Sequence, residues 1–153
     1  MLVLGLGNRL LGDDAAGPLA VATLAASDGD RGAIFRDGGT IGLALLPEIQ
    51  DASGFIAVDA ARFGAEAGTV RVFEGEAMDA QLGGRKRSAH EVALADLMGA
   101  AALSGRLPGR RALVAVQPES TALGLEPTPA VAAAIPQLCR AVDELLQRWR
   151  GRA

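Results

Sequence analysis

The chain has 153 residues, half of them apolar, and a formal net charge of −3 with a pI near 5.1. That length suits one domain spanning 1–153, and the acidic balance gives no broad attraction to a phosphate backbone or an anionic bilayer, which argues against nucleic acid and membrane partners. The single cysteine, Cys139, cannot form an internal disulfide, no apolar run reaches membrane-spanning length, and Met1 to Leu6 is too short and too uncharged for a signal peptide, so a reducing cytoplasm is the expected setting.

Aromatic residues make up only 3% and tyrosine is absent, so the core has to be built from Leu, Val, Ile and Ala. Leu2-Val3-Leu4 reads as a first buried strand, broken by a turn at Gly5, Gly7 and Asn8 and followed by a helical segment from about Ala15 to Ala26. Ala33-Ile34-Phe35 reads as a second strand. A second helix is expected from about Ile41 to Gln50, on Leu45, Leu46 and Ile49, although Pro47 is unfavourable there. Phe55-Ile56-Ala57-Val58 is a third strand and Val70-Arg71-Val72-Phe73 a fourth. The link between these two, Ala60 to Gly68, is too short for a helical crossover, so the fourth strand is expected as an antiparallel edge.

Ser88-Ala89-His90-Glu91 has the form of a capping box, with Ser88 as N-cap and Glu91 at the third helical position, which puts His90 in the first turn of a third helix. Ala112-Leu113-Val114-Ala115-Val116 is the last strand. A final helix runs from about Pro129 to Arg150, with Val131, Ile135, Leu138, Val142, Leu145 and Trp149 on one face and a bend expected at Pro136. Short apolar strands alternating with helices predict an α/β three-layer sandwich: a mostly parallel twisted sheet of about five strands, one antiparallel edge strand, and helices on both faces.

In such sheets ligands bind beyond the carboxyl ends of the parallel strands. Asp13 and Asp14 follow the first strand, Asp37 ends the second and Asp59 ends the third. A helix feeding a parallel strand begins on that same edge, so His90 is expected to face these acids. Two carboxylates and one imidazole from separate segments suit a borderline divalent cation such as nickel or zinc. Each residue also has a plainer reading: Asp14 as a helix N-cap, Asp59 as a strand-end acid, His90 as a solvent-facing first-turn residue.

The segment Gly5-Leu6-Gly7-Asn8-Arg9-Leu10-Leu11-Gly12-Asp13-Asp14 resembles the N-terminal signature of the [NiFe]-hydrogenase maturation endopeptidases. Asp37-Gly38-Gly39-Thr40, Val58-Asp59-Ala60, Ser88-Ala89-His90 and Gln117-Pro118-Glu119-Ser120 resemble the family's later motifs, in family order and over nearly the whole chain. The resemblance implies an endopeptidase that trims the C-terminus of a hydrogenase large-subunit precursor, with Asp14, Asp59 and His90 as the metal ligands. It implies nickel carried by the precursor, with zinc or cadmium able to occupy the same ligands; the chain is expected to work as a monomer. Asp37 is the candidate to assist cleavage. Substrate contact is expected at Asn8, Gly38, Gly39 and Thr40, the glycines letting backbone approach a peptide closely. For Asp37-Gly38-Gly39 a simple tight turn is the competing reading.

Three rival functions share these residues. Gly5 and Gly7 between a strand and a helix suggest a dinucleotide site, but Leu10 stands where the third glycine belongs, and Asp13 and Asp14 would repel a pyrophosphate. A serine or cysteine hydrolase lacks its Gly-x-Ser-x-Gly elbow, and Cys139 falls at a mostly apolar helical position. A non-catalytic chaperone for nickel or the precursor would use the same ligands as the protease. The basic tract Arg85-Lys86-Arg87 reads as a solvated loop, with contact to the precursor's tail as the alternative.

Overall fold

A computed structural model describes residues 1–39, 43–85 and 88–152. The strands are β1 (Leu2–Gly5), β2 (Ile34–Asp37), β3 (Phe55–Ala60), β4 (Val70–Glu74) and β5 (Arg111–Val116), and they form one sheet in the order β2-β1-β3-β5-β4. All pairs are parallel except β4 with β5, so the strand that follows the short loop is the antiparallel edge that its connection length requires.

Helices α1 (Ala16–Ala26) and α5 (Pro129–Arg150) cover one face, while α2 (Leu46–Asp51), α3 (Glu76–Leu82) and α4 (Ala89–Leu103) cover the other. The period-two geometry of a strand divides its side chains between the two layers. Val3, Ile56, Val58, Ala112, Val114 and Val116 pack against α1 and α5, where Leu138, Val142, Leu145 and Trp149 meet them. Leu2, Leu4, Phe55, Ala57, Leu113 and Ala115 face Ile49, Met78, Leu82 and Leu94 on the opposite side. Continuous burial on both faces explains why the central strands read as unbroken apolar runs.

The helix ends follow from local chemistry. Thr128 precedes α5 in an extended conformation, Pro129 occupies the first turn, and Arg148 and Arg150 sit in the last turn, where positive charge complements the dipole. The predicted second helix is shorter than its pattern suggested: a 3-10 turn over Leu43–Leu45 leads into α2, which has Pro47 at its start, where proline is tolerated. Ile41 lies outside the described residues. The first helix is likewise entered through a 3-10 turn, Gly12–Ala15, that carries Asp13 and Asp14. Helix α3 was not among the predicted elements.

Candidate metal centre

The turn after β1 brings the first acid into place. Gly7 has φ +134, and a Cβ there would fall 1.9 Å from the carbonyl oxygen of Asp14, so only glycine lets the chain fold back this closely. In that fold the Asn8 amide donates to Asp14 Oδ2 at 2.8 Å. Asp59 enters from the adjacent strand with no solvent exposure. His90 enters from the start of α4, where the Ser88 hydroxyl accepts the Glu91 amide at 3.3 Å, the capping bond that the sequence predicts.

His90 Nε2 lies 2.9 Å from Asp14 Oδ1, and Nδ1 lies 2.9 Å from Ser88 Oγ and 3.5 Å from Asp59 Oδ1. One proton arrangement satisfies all of these groups except Asp59: the Ser88 hydroxyl donates to Nδ1, and Nε2–H donates to Asp14. Both oxygens of Asp59, together with Glu91 Oε2, are buried without a hydrogen-bond partner among the described residues.

The electrostatics are correspondingly unfavourable for charge on Asp59. Burial pushes its carboxyl well above the usual range, and the neighbouring acids Glu91 and Asp14 push it further the same way. Burial also raises Glu91, against the opposing pull of Asp59, His90 and Ser88. A hydrogen bond between the carboxyls of Asp59 and Glu91 exists only when one of them holds a proton. Ligand atoms of Asp14, Asp59 and His90 lie within 4.8 Å of one another. Two carboxylate oxygens and an imidazole nitrogen suit a divalent cation of the nickel or zinc type, and such a charge would offset the cost of the unpartnered buried carboxylate. The cluster opens onto a cavity of about 730 Å³ lined in part by Gly7, Asn8, Gly39, Arg62, Arg85 and Pro118.

The profile of one family, described as hydrogenase maturation protease, matches residues 20–145. The chain belongs to the hydrogenase maturation protease family. It is 36% identical over 148 residues to the hydrogenase expression/formation protein HupD of Rhodobacter capsulatus, covering 95% of this chain and 70% of that protein. It is 37% identical over 137 residues to the hydrogenase 2 maturation protease of Escherichia coli, covering 84% and 80%. The solved structure of the hydrogenase maturating endopeptidase HybD from E. coli superimposes with a TM-score of 0.90 at 32% identity, covering 96% of this chain and 91% of that one.

Against that family background, the individual predicted residues fall into distinct groups. Asp14, Asp59 and His90 come together. Asn8 and Gly39 line the cavity. Gly38 does not line it: it is buried, its amide donates to Gly5 O at 2.7 Å, and a Cβ there would meet Leu4 at 2.7 Å, so packing accounts for this glycine. Thr40 lies outside the described residues, as do Lys86 and Arg87. Asp37 stands outside the three-residue cluster, half-exposed. One of its oxygens accepts the Gly39 amide at 2.9 Å, and the other lies 3.4 Å from the Arg9 guanidinium.

Two acids have roles that sequence reasoning passed over. Asp13 is fully buried and clamps the loop after β5: its Oδ2 accepts the amides of Glu119 at 2.8 Å and Ser120 at 3.0 Å, and its Oδ1 accepts that of Thr128 at 2.6 Å. The motif Gln117-Pro118-Glu119-Ser120 therefore serves the site through its backbone. Gln117 adds a second tie, its Oε1 accepting Phe63 N at 2.9 Å and Ala65 N at 3.4 Å. Glu91, read in the sequence only as a capping residue, is 2% exposed, lies beside Asp59 and lines the cavity.

Proposed function

We propose that this chain is a nickel-dependent endopeptidase that removes the C-terminal extension of a [NiFe]-hydrogenase large-subunit precursor. The observation that carries this reading is the convergence of Asp14, Asp59 and His90 within 4.8 Å, with Asp14 and His90 lining an open cavity and both buried Asp59 oxygens lacking a donor among the described residues. A cluster built only for stability would pair or solvate that carboxylate.

In this reading nickel is part of the substrate. It arrives held by thiolates of the precursor, and Asp14, Asp59 and His90 supply further ligands. Zinc or cadmium would take the same three in the isolated protein. A divalent cation bound there polarises the scissile carbonyl or makes a water molecule more acidic.

The chain's own residues prepare that geometry. The Asn8 amide orients Asp14, Ser88 fixes the His90 ring, and Asp59 has no competing donor among the described residues. Asn8 and Gly39 line the cavity and are the residues there that would meet the peptide. Asp37 assists cleavage by holding the Gly39 amide, which makes it a positioning residue in this scheme. We assign the reaction to a single copy of the chain in the cytoplasm, in keeping with its lone cysteine.

The test is intact-mass analysis of the cognate precursor, nickel-loaded and nickel-free, incubated with this protein. Loss of one defined C-terminal peptide from the loaded form alone supports the proposal. A loaded precursor that binds and stays whole would instead make the chain a holding factor.

A further inference from the structure

The cavity that opens over the acidic cluster is lined by two arginines that the cluster does not use. Arg62 follows β3, three residues past Asp59, and Arg85 follows α3. Both are exposed, and neither guanidinium has a hydrogen bond, ion pair or ring contact among the described residues. Most other arginines among the described residues are engaged: Arg9, Arg31, Arg36, Arg106, Arg111 and Arg148 each pair with a carboxylate, Arg71 lies over the Phe63 ring, and Arg110 and Arg150 donate to backbone carbonyls. Two unpaired arginines lining the same cavity as Asp14 and Glu91 form a place for an anion that the protein itself does not provide.

The base of Arg62 is held firmly. Gln117 Oε1 accepts the next amide, Phe63 N, at 2.9 Å, and Gln81 Nε2 donates to the Arg62 carbonyl at 3.2 Å. Gln81 belongs to α3, so this bond also ties the loop carrying Arg62 to the helix that leads to Arg85. A guanidinium presented from a fixed backbone loses less freedom when it captures a ligand. Its fork of donors matches the two oxygens of a carboxylate.

The geometry points to Arg62 and Arg85 as the recognition site for a carboxylate of the precursor's C-terminal extension. This rests on the protease reading above and adds the chemistry of the peptide that is accepted. Asp14 in the cavity lining repels a peptide carboxylate from the cluster, while the two arginines attract it. A tail bound this way enters in one orientation, with its scissile bond over the cluster and its acid on the arginines. The carboxylate has two possible sources: an Asp or Glu side chain of the extension, or its free C-terminus.

The test uses the full-length protein as wild type, R62A, R85A, the double variant R62A/R85A and the charge-retaining R62K/R85K. Each is titrated with the nickel-loaded cognate precursor by biolayer interferometry at low and high salt, and cleavage is followed by mass. The precursor is supplied unchanged, with each acid of the extension singly neutralised to Asn or Gln, and with an amidated C-terminus.

The double variant should keep the wild-type melting temperature and bind the unchanged precursor about tenfold more weakly at low salt, with a smaller loss at high salt. KM should rise with kcat little altered, and the Lys variant should recover part of the loss. One neutralised precursor should reproduce that loss with wild type and show no further loss with the double variant, and which precursor does so identifies the source. Equal binding and KM for wild type and the double variant would overturn the inference, as would an equal further loss against every neutralised precursor. If wild type binds but never cleaves, the protease reading fails while the binding data still decide the role of the arginines. If wild type does not bind the precursor, both fail.

Discussion

His90 Nε2 sits 2.9 Å from Asp14 Oδ1 although 76 residues separate them in the chain. The pair is made by topology: a turn after β1 and the first turn of α4 meet at the carboxyl edge of the same parallel sheet, with Asp59 beneath them. Each of the three comes from a different segment, so each can be removed without dismantling the other two.

Removing the imidazole should therefore abolish tight cation binding and little else. His90→Ala is expected to lower affinity for zinc or cadmium by about 10²-fold or more, since one of three protein ligands is lost. Isothermal titration calorimetry of wild type and variant provides the check, and equal affinities would place the cation elsewhere.

Asp59→Asn should make the metal-free protein more stable. The carboxylate is fully buried, has no donor among the described residues, and neighbours two other acids, whereas an amide can donate to Glu91 or Asp14. Relief of that burden is worth about 1 kcal/mol or more, or roughly 2–4 °C in melting temperature for a chain of this size. A lower melting temperature would show that Asp59 has a stabilising partner.

Asp13 is expected to behave in the opposite way. Burial pushes its carboxyl up, but the amides of Ser120, Thr128 and Glu119 and the Thr128 hydroxyl together outweigh burial and hold its pKa below the usual value. A depressed folded pKa means that the stabilisation is complete above about pH 4 and is lost as pH falls through the folded value. Asp13→Asn should cost on the order of 3 kcal/mol at neutral pH, and the gap to wild type should narrow in acid. Urea unfolding at several pH values reads both effects, and a gap that does not change with pH would contradict the ionic clamp.

Gly17→Ala tests the packing that seats α1. Alanine in place of glycine ordinarily favours a helix. Here a Cβ would fall 2.2 Å from Val58 O and 2.5 Å from Leu6 O, both backbone atoms that cannot swing away. The substitution should destabilise by about 3 kcal/mol, or prevent folding, and a thermal melt showing a gain would refute the close contact.

What the sequence makes legible follows from the range of the interactions involved. The central strands β1, β3 and β5 are visible because burial on both faces leaves uninterrupted apolar runs, and α5 because one stripe of its surface is apolar over its full length. Helix α3 is hidden: its seven residues, Glu76–Leu82, bury only Met78 and Leu82, too few to establish a period. In the site, strand ends and a capping box place Asp14, Asp59 and His90 on one edge of the sheet, along with Asp13 and Asp37, and only the family resemblance singles out the three that the fold brings within 4.8 Å. Asp13 looks like a companion of Asp14, since nothing local announces amide donors 106 to 115 residues away. Glu91 is read from its neighbour Ser88, while its contact with Asp59 exists only once α4 docks on the sheet. Arg62 carries no local signal of any kind, and only the cavity that it shares with Arg85 brings it forward.

Whether Asp14, Asp59 and His90 bind the substrate's nickel is read by nickel K-edge X-ray absorption on the nickel-loaded precursor, alone and rapidly frozen after mixing with this protein. If Asp14, Asp59 and His90 meet the substrate's nickel, the complex gains oxygen and nitrogen scatterers, including the imidazole signature, and His90→Ala removes that signature. Nickel coordination that stays the same in the complex while the extension is still removed would leave the three residues without contact to the metal and rule out their role as ligands.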